Sequence, residues 1–492
     1  MNPDRLDRLV IAGTHSGSGK TTISLALMTL LARQGHVVFP FKAGPDYIDP
    51  AFHQAATGRL SRNLDAWLLP DAVLRTLFLR HANPDGLALV EGVMGLFDGL
   101  DISARCSTAH VAALLEAPVI LVVNGEGSSL STAALVSGFA SFKPRKQEGH
   151  GPDLMGLRLA GVILNRVSGP AHYDLLRRAV EEHTGIPCFG YLVKNSVPIL
   201  ARRHLGLLPA GEQADLRDAL HRLADLALDS LDIPGLLEVA RNAPPLGREN
   251  ALTKTAGSLS SEKPSPVRLG VAKDAAFSFY YQDNLDMLEE LGAELILCSP
   301  LKDDALPENL DGLYLGGGFP EVFAQELEDN LSFRQSLKAA LDQGLPAFVE
   351  CGGLLYLCAG LHVVPPGETA LRRFAMTGFF SQEAEMTDRL QQPFGYVSVT
   401  LLQDCVLGRK GDGFRGHEFH YSRLREEPGR EHPVHATPEP ALRLDKPDGR
   451  TWSGGLCKNN VLAMYPHVHF HGCPDVARNF IHACRSWQRG TA

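Results

Sequence analysis

A chain of 492 residues is too long for a single hydrophobic core, so we expect roughly two to four domains. Hydrophobic residues make up 44% and charged residues 21%, as in an ordinary soluble globular protein. The net charge of −9 and the pI near 6.1 disfavour nucleic acid as a partner, and no apolar run is long enough to span a membrane. The nine cysteines are an odd number without C-x-x-C pairs, which favours reduced thiols in the cytoplasm over disulfides or zinc ribbons.

The first informative stretch, residues 9–31, is an apolar run, then a glycine-rich turn, then a helical pattern. Such a turn points backbone N–H groups at phosphate oxygens beside a helix N-terminus. Lys20 is placed to reach the β- and γ-phosphates, and the hydroxyl of Thr21 to bind Mg²⁺. Thr14 occupies the first glycine position of the G-x-x-x-x-G-K-[ST] pattern, and Gly13 comes one residue earlier. The order of these features favours a nucleotide phosphate cradle over a purely structural turn.

Acidic side chains follow two later apolar runs in the N-terminal half. Asp46, Tyr47 and Asp49 follow the first run, where a turn rich in Asp, Pro and Gly is an equally simple interpretation. Glu91 ends the second run, the usual place for a Mg²⁺ partner of a phosphate loop, and Asp98 lies in the glycine-rich loop after it. Apolar runs that alternate with helical patterns predict a parallel sheet of the α/β class, which binds ligands at the carboxyl ends of its strands.

Polar segments divide the rest of this half. Asn165 closes another strand-like run, where its amide can either read adenine or cap a turn, and both interpretations stay open. Residues 142–152 have the composition of a solvated insertion, and residues 243–266 that of an interdomain linker. We therefore expect an N-terminal domain over residues 1–242 and a second domain over residues 267–492.

The C-terminal half places Cys351 between a buried strand pattern and a helix pattern, with Gly352 directly after it. This arrangement resembles a nucleophile elbow, and a helix N-terminus favours the thiolate form of a cysteine. Three glycines at 316–318 follow an earlier strand and can either turn an N–H group toward an anion or form a flexible turn. The other eight cysteines are interpreted as inert small hydrophobic residues.

Histidines downstream are the candidate bases for this thiol. Strand alternation predicts that His467, His469 and His471 share one face, although no acid pattern supports a three-histidine zinc site. His417 and His420 flank Glu-Phe, but they are one residue too close for the H-E-x-x-H motif, so a zinc protease is disfavoured.

Two longer strings are highly specific: Gly-Pro-Asp-Tyr-Ile-Asp-Pro at 44–50 and Gly-His-Glu-Phe-His-Tyr-Ser at 416–422. Together with the motifs above, they resemble the cobyrinate a,c-diamide synthase family, the glutamine-hydrolysing amidotransferases of cobalamin biosynthesis. The resemblance runs nearly end to end, through segments 13–22, 42–50, 90–99, 316–321, 350–354, 386–390 and 416–422.

The resemblance implies an α/β protein with two catalytic domains. The N-terminal one is similar to dethiobiotin synthetase, a P-loop NTPase-like parallel-sheet domain that shares the shifted first glycine. There ATP with Mg²⁺ would phosphorylate a corrinoid carboxylate, and ammonia would displace the phosphate to leave an amide. The C-terminal domain is similar to triad-type (class I) glutamine amidotransferases, which release that ammonia from L-glutamine.

Site residues carry over from the family one by one. Cys351 would be the nucleophile and His467 its base, with the backbone N–H groups of Gly317 and Gly352 as oxyanion donors. The residues implied for ATP are Thr14, Gly17, Gly19, Lys20, Thr21, Thr22 and Asn165. Those implied for Mg²⁺ are Thr21, Glu91 and Asp46, and those implied for placing the substrate are Asp46, Tyr47, Asp49 and Asp98.

Two positions depart from the usual patterns. His469 stands where most class I glutaminases carry a glutamate two residues after the histidine, a change that the family tolerates. The orienting partner of His467 is therefore unassigned. Asn124 stands where relatives usually show an aspartate, which removes a charge from that strand end.

Alternatives remain open at this point. The same chemistry on hydrogenobyrinate or nickel-sirohydrochlorin fits the same motifs, whereas cobyric acid synthase fits the string at 45–50 less well. A regulatory or partitioning P-loop ATPase would leave Cys351 without a task. The partners implied are a corrinoid carboxylate, L-glutamine and ATP, with neither nucleic acid nor membrane, and a homodimer stays open.

Overall fold

The computed structural model describes residues 5–144, 154–196, 202–203, 206–207, 215–247, 265–365, 367–390, 394–425 and 439–490. The chain divides into two compact units, Met1–Gly257 and Ser258–Ala492. Most of the predicted insertion (145–152) and of the predicted linker (248–264) lies outside the described residues, so those boundaries stay predictions.

The N-terminal unit alternates strands and helices. In chain order its elements are β1 (Asp7–Gly13), α1 (Lys20–Arg33), β2 (Val38–Ala43), α2 (Asp49–Thr57), β3 (Arg62–Leu64), α3 (Asp71–His81), β4 (Leu87–Glu91), α4 (Thr108–Leu114), β5 (Pro118–Asn124), α5 (Ser131–Ser141), β6 (Arg158–Val167), α6 (Pro170–Thr184), β7 (Cys188–Val193), β8 (Arg202–Arg203), β9 (Gly206–Leu207), α7 (Leu216–Ser230) and α8 (Ile233–Arg241).

Seven strands of this unit form one parallel sheet in the order β3-β2-β4-β1-β5-β6-β7. The central strand β1 leads into the glycine-rich turn and α1, whose apolar side chains are buried along most of its length. In the register of the sheet, Glu91 at the end of β4 pairs with Ile11 on one side and with Lys42 on the other. The phosphate-loop strand and the acidic strand are therefore direct neighbours.

The C-terminal unit is richer in strands. Its elements are β10 (Val267–Ala272), β11 (Phe277–Phe279), α9 (Gln282–Glu290), β12 (Ala293–Cys298), β13 (Gly312–Leu315), β14 (Gly317–Gly318), α10 (Ala324–Asp329), α11 (Leu331–Asp342), β15 (Ala347–Glu350), α12 (Gly352–Leu357), β16 (Gly360–Val363), β17 (Arg372–Ala375), β18 (Glu383–Met386), β19 (Gly395–Leu401), β20 (Gly413–Glu418), β21 (Ser422–Leu424), β22 (Leu442–Asp445), β23 (Thr451–Gly454), β24 (Leu456–Lys458), β25 (Val461–Met464), β26 (His467–Val468) and α13 (Pro474–Gln488), with a 3₁₀ turn at Phe470–Gly472.

The central sheet of this unit has the order β12-β10-β13-β15-β25-β24, parallel except for the edge strand β24. An apolar core lies on each face, because successive side chains of a strand point to opposite sides. On β15, Ala347 and Val349 belong to one core and Phe348 to the other. The unit also contains the antiparallel sheet β23-β22-β19-β20-β26, the sheet β17-β16-β18-β21, in which only β16 and β18 are parallel, and the antiparallel pair β11-β14. Within the described ranges, every helix falls short of the length or the apolar character needed to cross a bilayer.

The α/β fold class agrees with the sequence prediction, but two local predictions need correction. The histidine segment is not one strand: β25 ends at Met464 and β26 covers only His467–Val468, so the prediction of a shared face is wrong. Pro466 lies in the break and has no N–H group for a ladder. Asn165 lies two residues before the end of β6 and so does not close that strand.

Candidate active sites

The glycine-rich turn after β1 is held by close packing that only glycine allows. A Cβ atom on Gly13 would lie 2.2 Å from the Ser18 hydroxyl oxygen. The turn can therefore pack against residue 13 only because that residue is a glycine. Gly19 has φ +107°, and its Cβ would lie 1.9 Å from the Asn165 amide nitrogen. Asn165 donates that nitrogen to the Ser18 carbonyl (2.9 Å) and accepts the Arg166 N–H. Asn165 therefore fixes the turn, and its contact with adenine stays a prediction.

Lys20 and Thr21 begin α1 and point into the turn region. Lys20 is 7% exposed, and its ammonium lies 3.5 Å from the His15 carbonyl oxygen. Burial first, and then the charge of Lys42, lower the pKa of Lys20 to about 8, against the opposing effect of Glu91. A bound phosphate would supply the anion that this buried cation needs. The hydroxyl of Thr21 donates to Glu91 at 2.6 Å.

A buried lysine that the sequence analysis did not single out joins the acidic groups. The Lys42 ammonium donates to Asp49 at 2.5 Å and to Glu91 at 2.8 Å, and lies 3.8 Å from Asp46. Burial alone would lower the pKa of Lys42, but the three carboxylates outweigh it and raise that pKa well above its usual range. Burial raises the pKa of Glu91, but Lys42 and His53 hold it well below its usual range. For Asp49, burial and the neighbouring Asp46 charge dominate and raise the pKa.

His53 on α2 is a second residue that the sequence analysis missed. It is fully buried, with Nε2 2.8 Å from Glu91 and Nδ1 3.0 Å from the Ser61 hydroxyl oxygen. Asp46 accepts the backbone N–H groups of residues 48 and 49. Asp46 therefore also stabilises a turn, which was the simpler of the two interpretations of this segment. Asn63 donates to the Asp46 carbonyl at 2.7 Å and ties that turn to β3. Sequence gives no local signal for these partners, because they lie on separate elements.

The remaining predicted residues of the N-terminal unit lie at the rim of this cluster. Asp98 is exposed and accepts the Gly95 N–H at 2.8 Å. Its negative charge offsets a part of the lowering of the Lys20 pKa. Thr14 contacts the His15 ring at 2.9 Å. Gly17, Thr22 and Tyr47 lie in or beside the same loops, partly or fully exposed. Asn124 accepts the Glu126 N–H at 3.0 Å and so caps its own turn.

A hydroxyl and a carboxylate that touch at the end of a phosphate loop fit a magnesium ion. The Thr21 and Glu91 oxygens are hard donors of the type that Mg²⁺ prefers, and Asp46 lies in the loop that follows the neighbouring strand β2. The donor set therefore agrees with the metal that the sequence implies.

In the C-terminal unit, Cys351 occupies the sharp turn between β15 and α12. Its backbone angles, φ 45° and ψ −103°, are strained for a residue with a side chain. Its N–H donates to the Met464 carbonyl on the neighbouring strand at 2.7 Å. Gly353 must be glycine, because a Cβ there would lie 2.7 Å from the Leu315 carbonyl oxygen. This is the geometry of a nucleophile elbow.

His467 lies beside that cysteine. Burial lowers the pKa of His467, but hydrogen bonds to Cys351 and Glu350, and the charges of both groups, outweigh burial and raise the pKa to about 10. Gly317 packs against the pair: a Cβ on it would lie 3.2 Å from His467 Nε2 and 3.4 Å from the Cys351 Cβ. The predicted nucleophile, base and one oxyanion glycine are therefore brought together.

The glycine loop is a fixed structure rather than a flexible turn. Gly317 and Gly318 form β14, which pairs with β11. The Tyr280 hydroxyl donates to the Ala272 carbonyl and accepts the Gly316 N–H at 2.8 Å. Gly352 faces this loop, since a Cβ on it would lie 3.0 Å from the Gly318 nitrogen. The two predicted oxyanion glycines thus lie on adjoining backbone segments.

Glu350, directly before the cysteine, is the third residue that sequence reasoning missed. It is 1% exposed and accepts from the Tyr314 hydroxyl at 2.9 Å and from the Val468 N–H at 2.9 Å. His467 Nδ1 lies 3.4 Å from the same carboxylate. The sequence did contain a signal for Glu350, because it is an acidic residue at the end of a buried strand. A buried charge without a partner costs folding free energy, so a partner for it could be expected.

The Gly-His-Glu-Phe-His-Tyr-Ser string runs beside the histidine. His417 on β20 pairs with His467 on β26, and burial together with the charge of His467 lowers the pKa of His417 to about 3. His420 bonds Glu418 at 2.7 Å and stacks on Tyr465 with ring centroids 3.7 Å apart. β20 is a strand, so these histidines do not form the helical zinc motif. The string buttresses the segment that leads to His467.

Comparisons with known proteins cover both units. Residues 9–207 match the CobQ/CobB/MinD/ParA nucleotide binding domain, and residues 268–474 match the CobB/CobQ-like glutamine amidotransferase domain. A protein of Listeria innocua serovar 6a named cobyrinate a,c-diamide synthase is 42% identical over 96% of this chain and 98% of its own length. Proteins of the same name from Caldanaerobacter subterraneus and a Synechococcus strain are 38% and 41% identical, over 98% and 97% of this chain and 99% and 98% of their own lengths.

Replacing His467 by asparagine should slow alkylation of Cys351. Because the pKa of His467 is raised to about 10, its imidazolium persists at neutral pH and loses its proton only as the pH rises through about 10. We expect iodoacetamide to label Cys351 in H467N about 10- to 100-fold more slowly than in wild type at about pH 6.5, with the gap narrowing toward pH 10. Mass spectrometry of the Cys351 peptide measures the rate, and exposed His482→Asn is the control. Equal rates at low pH would contradict the ion pair.

Proposed function

The chain belongs to the family of cobyrinate a,c-diamide synthases, and we propose that it amidates the a and c carboxylates of cobyrinate, with ATP and L-glutamine as co-substrates. It is a carbon–nitrogen ligase with an amidotransferase domain, so the alternative of a regulatory or partitioning ATPase is set aside. The observation that carries the proposal is the hydrogen-bonded pair of Cys351 and His467 at a strained turn, in a chain that also has a phosphate loop.

The first half-reaction is hydrolysis of glutamine. The Cys351 thiolate attacks the side-chain amide carbon, and the N–H groups of Gly317 and Gly352 stabilise the oxyanion. The His467 imidazolium gives its proton to the leaving nitrogen, ammonia departs, and a glutamyl thioester remains. Water, deprotonated by His467, then cleaves the thioester to glutamate and the free thiol. The net reaction is glutamine plus water to glutamate plus ammonia.

The second half-reaction activates the substrate. A carboxylate is a poor electrophile because expelling oxide is prohibitive, so its oxygen attacks the γ-phosphorus of ATP and forms an acyl phosphate and ADP. Ammonia adds to the acyl carbon, phosphate leaves with the carboxylate oxygen, and the product is an amide. Two carboxylates on one substrate require two turnovers, with release or reorientation between them.

We assign the residues of this half-reaction as follows. Lys20 would bind the β- and γ-phosphates, whose negative charge would offset the burial and the Lys42 charge that lower its pKa. The other ATP contacts come from Thr14, Gly17, Gly19, Thr21, Thr22 and Asn165. Thr21, Glu91 and Asp46 would hold Mg²⁺, which would supply positive charge to offset that of the phosphoryl group. Substrate carboxylates are placed by Asp46, Tyr47, Asp49 and Asp98, and Lys42 holds two of these acids in position.

The two half-reactions should separate by mutation. We expect Cys351→Ala to lose glutamine hydrolysis by more than about 10³-fold, yet to keep amide synthesis with added ammonium salts. Lys20→Ala should lose synthesis with either nitrogen source, because transfer of the phosphoryl group fails. Glutamate release and product mass are the measurements, and Cys358→Ala is the matched control for a buried cysteine close in sequence. Glutamine hydrolysis that persists in Cys351→Ala would contradict the proposal.

The substrate itself needs a direct comparison. Cobyrinate, hydrogenobyrinate and nickel-sirohydrochlorin are each incubated with ATP, Mg²⁺ and glutamine, and the added amides are counted by mass. We expect two amides on cobyrinate and a lower rate on the other two rings. Preference for another ring would keep the chemistry but change the assigned substrate.

A further inference from the structure

Class I glutaminases need a group that orients the base, and here the usual position for it is taken by His469. The ring of His469 lies elsewhere: its Nε2 is 3.7 Å from the Asp283 carboxylate, and it stacks on Tyr281 with ring centroids 5.0 Å apart. An imidazole also cannot supply the negative charge of a carboxylate. His469 therefore does not replace the missing glutamate.

Glu350 lies where that carboxylate is needed. Its Oε2 atom is 3.4 Å from His467 Nδ1, and the residue is 1% exposed. The fold explains how residues 117 positions apart meet. β15 and β25 are parallel neighbours in which Glu350 pairs with Met464, and the chain passes from Met464 to His467 within three residues.

Two further donors hold the Glu350 carboxylate in place. Oε2 also accepts the Tyr314 hydroxyl at 2.9 Å, and Oε1 accepts the Val468 N–H at 2.9 Å. Since Val468 directly follows His467, one carboxylate binds both the ring and the backbone of the histidine segment. It cannot turn away from the ring without breaking two buried hydrogen bonds, each of which would leave an unpaired polar group.

We infer that Glu350 is the positioning residue of the glutaminase site and takes the role of the absent glutamate two positions after His467. This inference rests on the proposed roles of Cys351 and His467. A carboxylate at Nδ1 keeps a proton on that nitrogen, which leaves Nε2 for the thiol. Nε2 lies on the side of the ring that faces Cys351. A Cβ atom built on Gly317 would be 3.2 Å from Nε2 and 3.4 Å from the Cys351 Cβ, so both groups border the same glycine.

Proton transfer then runs through one nitrogen only. In the resting thiolate–imidazolium pair Nε2 already holds the proton that came from the thiol, and it gives this proton to nitrogen as the carbon–nitrogen bond breaks. Glu350 takes no part in this proton transfer and touches neither substrate nor leaving group. The chain thus places the nucleophile and the group that orients its base on consecutive residues, Glu350 and Cys351.

The test is Glu350→Gln, which keeps the size of the side chain and removes its charge. We expect kcat for glutamine hydrolysis to fall about 10²- to 10⁴-fold, as for the loss of orienting acids in other triads, with KM for glutamine within about threefold of wild type.

Labelling of Cys351 by iodoacetamide at about pH 6.5 should slow about tenfold in Glu350→Gln, because the imidazolium loses its counter-charge. Synthesis with added ammonium salts should stay within about twofold of wild type, and Glu350→Asp should recover at least about tenfold in kcat over Glu350→Gln.

His469→Gln is the matched control, because it changes the position where the glutamate usually lies. We expect its glutamine hydrolysis to stay within about threefold of wild type. The inference is wrong if Glu350→Gln hydrolyses glutamine within threefold of wild type, or if His469→Gln shows the large loss instead. Equal loss of ammonium-dependent synthesis in Glu350→Gln, without recovery in Glu350→Asp, would mean a merely structural role and would also overturn it. Glutamine hydrolysis in Cys351→Ala would instead overturn the proposed function itself.

Discussion

A charge that is buried between strands must be paired with an opposite charge, and both candidate sites are arranged by that requirement. In the N-terminal unit the Lys42 ammonium, 3% exposed for the residue, lies between Asp49 and Glu91. In the C-terminal unit the Glu350 carboxylate lies beneath His467. Lys42 and Glu91 lie at the carboxyl ends of the neighbouring parallel strands β2 and β4, and Glu350 ends β15, whose parallel neighbour β25 leads to His467, so the pairing that neutralises the charge also fixes the reactive groups.

This arrangement favours chemistry in which charge moves between positioned groups. Groups already held by buried hydrogen bonds need little reorganisation when charge develops on a substrate. In the phosphate-loop site, the lowered pKa of Lys20 reflects a buried cation near a second cation, Lys42, an environment in which an anionic ligand would restore the charge balance. In the glutaminase site, the raised pKa of His467 reflects a cation retained between the Cys351 thiolate and the Glu350 carboxylate. The first site suits phosphoryl transfer, and the second suits attack by a thiolate.

The sequence predicted what local patterns encode. The phosphate loop, the strand that ends at Glu91 and the turn around Cys351 each occupy a short stretch whose residue types dictate its backbone. The partners of these groups could not be predicted, because they come from other elements through the strand order. His53 reaches Glu91 from α2, and Glu350 reaches His467 across two strands. The prediction that three histidines share one face was wrong, because side-chain alternation requires an unbroken strand. Pro466 lies in the gap between the two short strands β25 and β26.

The central claim is that the chain activates a carboxylate as an acyl phosphate before nitrogen is added. Substrate labelled with ¹⁸O in its carboxylates tests this directly, with ATP, glutamine and mass analysis of the phosphate released. The account predicts one ¹⁸O atom in phosphate for each amide formed, because the carboxylate oxygen that attacks phosphorus leaves with it. Amide formation with unlabelled phosphate, or with the label in AMP, would contradict it.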